Sequence, residues 1–223
     1  MDNFNISYIG ERKDIIDLVP ENARKILDVG CSIGTVGGDL KKRQTAEVTG
    51  IELDTKMAEA AKTKLDRVIA GDIETLNLNT VFKPGYFDCI ILADILEHLK
   101  NPWQILNELT NFLSEDGVVI ASIPNIRHYS AIVNLIFWGY WPYRERGIFD
   151  RSHLRFFTLR NIEEMFANAG LKIDKVQRTY RIIESISEKF AFIASINRFS
   201  RCLSIPFIRN FFTFQYIVLA KKR

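Results

Sequence analysis

The chain has 223 residues, 47% hydrophobic and 26% charged with a net charge of +3, enough to bury one sizeable core and too little for two full-sized domains. Its three cysteines, Cys31, Cys89 and Cys202, are few, odd in number and widely spaced, which argues against a disulfide framework or a zinc site and for a reducing, cytoplasmic setting. The longest uncharged stretch, residues 129–143, falls short of the roughly 18 apolar residues of a spanning helix, and the first residues contain no apolar run suited to a signal peptide.

Along the chain, apolar β-rich runs alternate with helical patterns, the signature of βαβ units and a parallel sheet. Strands are predicted at Lys25–Val29, Glu47–Glu52, Arg67–Ala70, 87–92 and 118–123, with helices at 36–43, 55–65 and 102–113. Five strands joined by helical crossovers make an open doubly wound sheet. Residues 125–157 then break the regularity with Trp138, Trp141 and many Tyr and Phe residues, and read as a lid. A helix follows from Thr158, an N-cap with Phe157 and Ile162 placed as a hydrophobic staple, to Gly170 at its C-terminal end. Residues 171–178 read as a sixth strand, 182–210 as a helical, amphipathic insertion, and 212–220 as a last strand. The charge divides unevenly: residues 171–223 carry 11 Lys/Arg against 3 Asp/Glu, and residues 1–170 carry 19 against 24. A basic tail with Phe192, Phe199, Phe207, Phe211 and Phe212 among Arg198, Arg201 and Arg209 suits peripheral contact with an anionic membrane; a solvated face is the blander alternative.

The sharpest motif is Ile26-Leu27-Asp28-Val29-Gly30-Cys31-Ser32-Ile33-Gly34, an apolar strand entering a turn with glycines four apart, then a helix. Such glycines let backbone approach a ligand, and the helix N-terminus offers free N–H groups. A dinucleotide fold uses nearly the same device. Two further acids separate the readings. Glu52, in Gly50-Ile51-Glu52-Leu53-Asp54, can accept both hydroxyls of a ribose, and Asp72, in Ala70-Gly71-Asp72-Ile73, can accept the exocyclic amine of an adenine. Asp28, Glu52 and Asp72 thus end three successive strands, at the edge where open α/β sheets bind ligands.

On these residues the chain resembles the class I S-adenosylmethionine-dependent methyltransferases. The resemblance implies an α/β, Rossmann-like, mostly parallel seven-stranded sheet with an antiparallel last strand, as one domain over residues 1–223. It carries over Asp28, Gly30, Ser32 and Gly34 to the methionine end of S-adenosylmethionine, Glu52 to the ribose, Asp72 to the adenine, and Ala93 and Asp94 to the border of the cofactor, with Cys31, Leu53 and Ile73 as further cofactor-binding residues. Asp54 is better read as a helix cap. Ser32 departs from the frequent middle glycine. The segment Phe87–Leu99 resembles the same family, including quinone- and polysaccharide-modifying members. Pro124–Ser130 and Gly147–Thr158 resemble substrate-side segments of methyltransferases of surface-glycan and cell-envelope synthesis, which implies a small-molecule, sugar or glycan-related acceptor.

Methyl transfer from a sulfonium needs alignment, a dry site and, for a hydroxyl acceptor, a base. All three histidines, His98, His128 and His153, follow the fourth or fifth strand. His153 is the first candidate base, Asp150 its orienting partner, and His128 the second candidate; each has a structural alternative. Arginines at 127, 144, 146, 151 and 155 rim the lid, either for an anionic acceptor or as ordinary surface charge. No spacing of His, Cys or carboxylates suggests a metal. The absence of an Asn/Asp-Pro-Pro-Tyr element after the fourth strand disfavours a nucleic-acid substrate. Two rival readings remain at this level: a nicotinamide-dependent oxidoreductase and a non-catalytic cofactor-binding module.

Overall fold

The computed structural model describes residues 12–181 and 206–223. Within them the order is α1 (Lys13–Ile16), β1 (Lys25–Val29), α2 (Thr35–Arg43), β2 (Glu47–Glu52), α3 (Thr55–Ala61), β3 (Arg67–Ala70), α4 (Leu78–Val81) and β4 (Phe87–Ala93), followed by a 3-10 turn at Leu96–His98. Then come α5 (Pro102–Thr110), β5 (Leu113–Pro124), α6 (Tyr129–Phe137), α7 (Leu159–Asn168), β6 (Leu171–Tyr180), α8 (Pro206–Phe212) and β7 (Thr213–Lys222). The seven strands form one sheet in the order β3-β2-β1-β4-β5-β7-β6. All pairings among the first five strands are parallel, and β7 runs antiparallel to both β5 and β6.

Near-continuous apolar strands are what a parallel sheet covered on both faces requires, and alternate residues of each strand serve opposite faces. Leu27, Val29, Ile90, Leu92 and Val119 pack on one side with Ile105, Leu106 and Leu109 of α5 and Ile162, Met165 and Phe166 of α7. Ile26, Val48, Cys89, Ile91 and Ile120 pack on the other with Ile15 of α1, Leu40 of α2 and Ala61 of α3. A third, smaller cluster joins Ala131, Ile148, Phe149 and Phe214, with Ile126 and Trp141 against it, and seats residues 125–157 on the start of β7.

Differences from the sequence expectation sit at element ends. The helix expected over 102–113 stops at Thr110, because Leu113 already pairs with Phe87 in the sheet. The helix expected over 55–65 stops at Ala61, and Leu65 turns inward as a buried side chain. The last strand begins at Thr213 rather than Phe212, which closes α8. Most of the insertion expected over 182–210, with Phe192, Phe199, Arg198 and Arg201, lies outside the described residues. Phe211 and Phe212, expected on an interfacial face, instead lie half-buried and pack on Tyr129 of α6.

Candidate active site

The carboxyl ends of β1, β2, β3 and β4 bring the sequence-predicted acids to one edge. At the end of β1, Asp28 is 3% exposed and its Oδ2 has no hydrogen-bond partner among the described residues. Burial first, and the neighbouring Glu52 second, push its carboxyl up to about 7, against the pull of Arg12. The chain then bends over β2, Gly30 and Cys31 both donating their N–H to the Ile51 carbonyl at 2.8 and 3.1 Å. Gly30 has φ +72°, and a Cβ there would stand 2.0 Å from Ile95 Cδ1. Ser32 also occupies the left-handed region, at φ 51°, a conformation costly for a non-glycine residue and common at binding loops. Gly34 opens α2 without a side-chain cap, which leaves its first-turn N–H groups without the acceptor that a capping side chain supplies.

Glu52 ties this loop to the end of β2. One carboxylate oxygen accepts the Ser32 N–H at 2.7 Å and the other the Asp54 N–H at 2.9 Å. Each oxygen retains lone-pair capacity for a further donor. Beside it Leu53 is 69% exposed, an apolar side chain on offer at a polar edge. Asp54 caps α3, accepting the N–H groups of Lys56 and Met57. Ala70 pairs with Glu52 across β3, and the Gly71 N–H bonds the Glu52 carbonyl at 2.8 Å, which sets Asp72 next along the same edge. Asp72 Oδ1 accepts the Glu74 N–H at 2.9 Å, and Ile73 is buried beneath it.

At the end of β4, Ala93 leads into Asp94, held at φ 56°. Ser122 of β5 donates its hydroxyl to Asp94 Oδ1 at 2.9 Å, and Gln215 of β7 and Arg12 also donate to this carboxylate. Arg12 bonds Asp14 at 3.0 Å as well, so α1 is latched across the strand ends. Sequence reading missed Arg12, Ser122 and Gln215. No local pattern marks them, since they meet Asp94 only through the strand order β4-β5-β7 and the docking of α1.

A second polar group lies beyond Asp94. Glu97 is 1% exposed, and neither carboxylate oxygen has a hydrogen-bond partner among the described residues. Burial, then the charge of Asp94, raise its carboxyl well above the usual range. Its backbone carbonyl accepts the N–H groups of Leu154 and Arg155 at 2.8 and 3.0 Å, which pins residues 125–157 to the turn after β4. That pinning sets the His153 ring against His98, with centroids 4.8 Å apart and planes at 73°. Ser152 Oγ donates to Asp150 Oδ1 at 2.5 Å and meets His98 Nδ1 at 3.2 Å. Burial lowers both imidazoles, His153 to about 4 with His98 as a further cause, so each ring is neutral near pH 7. Asp150 thus reaches His98 through Ser152, where the sequence suggests a direct partnership with His153.

His128 stands apart from this group. It is 1% exposed, its Nε2 meets the Arg181 carbonyl at 2.9 Å and its Nδ1 meets Ser130 Oγ at 2.8 Å. A carbonyl only accepts, so Nε2 carries the proton, and both ring nitrogens are occupied at the start of α6. His128 therefore anchors α6 and has no nitrogen left for an acceptor. Trp141 packs on Phe149 and Phe156, at 4.8 and 5.5 Å between centroids. Trp138, Tyr140 and Tyr143 remain exposed.

A family model described as a methyltransferase domain matches residues 8–176. A ubiquinone biosynthesis O-methyltransferase of Neisseria meningitidis serogroup C is 25% identical over 184 residues, covering 80% of this chain and 74% of that protein. One of the same name from Psychrobacter arcticus is 28% identical over 156 residues, 66% of this chain and 58% of that one. Among solved structures, an S-adenosylmethionine-dependent methyltransferase from Archaeoglobus fulgidus superposes with a TM-score of 0.65 at 17% identity, over 97% of both chains. That likeness speaks for the fold.

Proposed function

The chain belongs to the methyltransferase-domain family and is an S-adenosylmethionine-dependent methyltransferase, and from that premise we propose that it methylates a hydroxyl oxygen of a small acceptor held beneath residues 125–157. The buried, unpartnered Asp28 oxygen near Glu52 carries this reading. Three acids around a glycine turn suit a ligand that brings a sulfonium, an ammonium and a ribose diol, and they suit poorly the pyrophosphate of a dinucleotide, which two negative charges nearby would repel.

The residues fit S-adenosylmethionine position by position. Glu52, already fixed by two backbone donors, accepts the ribose hydroxyls. Leu53 and Ile73 flank the adenine, and Asp72 accepts its exocyclic amine. Asp28, Gly30, Cys31, Ser32 and Gly34 border the methionine end, where the uncapped start of α2 receives the carboxylate and Asp28 and Asp94 balance the positive charges. Ala93 passes close to the sulfur without a bulky side chain. When bound, the cofactor supplies a methyl group made electrophilic by its sulfonium. The neutral His98–His153 pair and Glu97 form the polar end of the acceptor space, with His153 the residue on which activation of the hydroxyl rests and His98, which Asp150 reaches through Ser152, packed against it.

The names of the relatives favour an oxygen acceptor. A sugar or glycan-related acceptor is a second reading, favoured by exposed Trp138, Tyr140 and Tyr143 near Arg144 and Arg151, side chains of the kind that stack on and hydrogen-bond sugars. Peripheral contact with an anionic membrane through the basic tail belongs to the same proposal. Isolated protein incubated with S-adenosylmethionine and separate panels of catechol-like phenols and nucleotide sugars tests these readings. Formation of S-adenosylhomocysteine with phenols alone supports the first, with sugars alone the second, and with neither panel counts against both.

A further inference from the structure

Near the start of β7 stands a buried tyrosine that neither the cofactor site nor the acceptor site uses. Tyr216 is 1% exposed and pairs across the sheet with Arg178 of β6, whose guanidinium lies 5.8 Å from the centre of the phenol ring. Burial raises its hydroxyl above the usual range, against the pull of Arg178, Arg127 and Arg209, so three guanidiniums from separate segments converge on one phenol. The Tyr216 hydroxyl, Arg178 Nε and Arg209 Nε are shielded from water, and none has a hydrogen-bond partner among the described residues. Thr213 stands near the phenol, but its own proton goes to the Arg209 carbonyl at 2.7 Å. Stacking on the ring accounts for the place of Arg178 and satisfies none of its N–H donors. Among the described residues after 170 the one acidic side chain, Asp174, pairs with Lys221 instead. Buried donors left unpaired, with like charges gathered around them, are costly unless an acceptor of opposite charge joins them.

We infer that Arg127, Arg178, Arg209 and Tyr216 form a binding site for a terminal phosphate group, free or on an ester. Guanidinium forks match phosphate oxygens two at a time, and the phenol adds a single O–H donor between them. A phosphate monoester brings about 1.5–2 negative charges near neutral pH and three acceptor oxygens, which suits clustered guanidiniums better than the single charge and two oxygens of a carboxylate. Asn210 Oδ1, next to Arg209, is also buried and unpartnered, and turning that amide over presents an NH₂ donor in its place. The arginines come from the segment after β5, from β6 and from α8. A bound phosphate therefore ties the root of residues 125–157 to the β6–β7 pair. Alternate residues of a strand serve opposite faces: Tyr216 belongs to the core under α5 and α7, while its neighbour Gln215 reaches Asp94. The site is thus separate from the cofactor acids, and it stands whether or not the acceptor assignment does.

The test is calorimetric titration of the full chain with inorganic phosphate at low ionic strength, beside acetate as a carboxylate comparison and glucose 1-phosphate as an ester. One phosphate per chain is expected, bound more tightly than acetate and accompanied by a rise in Tm. Arg178→Gln and Arg209→Gln should each weaken it by about tenfold or more. Arg160→Gln, an exposed charge on α7, should leave it unchanged. Tyr216→Phe separates a binding role from a structural one, because it deletes only the unpaired hydroxyl. Phosphate affinity should fall by about tenfold, and the Tm of the phosphate-free protein should hold or rise. A lower Tm with intact phosphate affinity would make the hydroxyl structural and overturn its place in the site. Circular dichroism identifies variants that still fold; if Arg178→Gln does not, Tyr216→Phe carries the test. Displacement of phosphate by glucose 1-phosphate assigns the site to an ester, and failure to compete assigns it to free phosphate. Absence of phosphate binding, or equal affinity in the folded variants, overturns the site.

Discussion

Single residues at the strand ends set the chemistry, and their effects separate by the property each controls. Glu52→Ala removes an acceptor that two backbone N–H groups hold in place. Calorimetry with S-adenosylmethionine should register a loss of about 1.5–3 kcal/mol, the worth of hydrogen bonds to a charged group. Asp28 has a folded pKa raised from 3.8 to about 7. Stability from its neutral carboxyl is therefore fully present below pH 3.8 and is lost as the pH rises through about 7. The stability difference between wild type and Asp28→Asn should move against the wild type over that window in denaturant titrations. Binding of a cationic cofactor prefers the ionised form, so affinity for S-adenosylmethionine should rise through the same range in wild type and stay flat in Asp28→Asn. His153→Ala should lower turnover by roughly 10²–10⁴-fold with little change in cofactor affinity, the pattern of a group that acts on the acceptor alone. A proportional loss of S-adenosylhomocysteine binding would instead make His153 part of the cofactor's seat.

At the scale of elements, what matters is how the lid segment is tied to the sheet. β5 ends at Pro124, and the next residue, Asn125, is fully buried. Its Nδ2 donates to the carbonyls of Asn210 and Thr213, each at 2.7 Å, and its Oδ1 accepts the Arg127 N–H at 3.0 Å. One side chain thus joins the exit of β5 to the entry of β7. Asn125→Ala leaves buried backbone groups unpaired, at about 1–3 kcal/mol for each that water does not reach. Thermal unfolding should show the loss, and cofactor affinity should change far less than acceptor turnover, because the glycine turn after β1 lies two strands away from the end of β5. Thr158 and Asn161 form a reciprocal cap at the start of α7, which explains why the chain turns sharply from the lid back into regular structure.

Across the whole molecule, one edge of the sheet gathers two polar groups: the acids of β1 to β3, proposed for the cofactor, and the Glu97 group beside residues 125–157, proposed for the acceptor. The N-terminal latch of Arg12 on Asp94 lies between them. Saturating S-adenosylmethionine should stabilise the fold by about 2.7 kcal/mol at a hundred times its Kd, visible as a rise in Tm. The charge divides unevenly, basic in residues 171–223 and acidic before them, and the proposed contact with an anionic surface rests on that division. Co-sedimentation with vesicles rich in anionic lipid, released by high salt, is the expected outcome. Binding that persists unchanged at high salt would remove charge as its cause.

The sequence by itself determined the alternation of strands and helices, the glycine turn and the acids that end β1, β2 and β3. Those features depend on local periodicity, on left-handed backbone at fixed positions and on strand ends that a parallel βαβ order must align. Asp54 and Thr158 were legible for the same reason, since a cap acts within its own turn. Tertiary structure alone decided that His128 is consumed as an anchor and that Asp150 reaches His98 through Ser152. It also decided that Glu97, buried and unpartnered, meets two histidines. No spacing along the chain shows the last of these, because residues 97 and 153 become neighbours only when the backbone N–H groups of Leu154 and Arg155 close on the Glu97 carbonyl. Long-range pairing of backbone, set by the packing of the lid on β7, created a polar cluster that local pattern cannot encode.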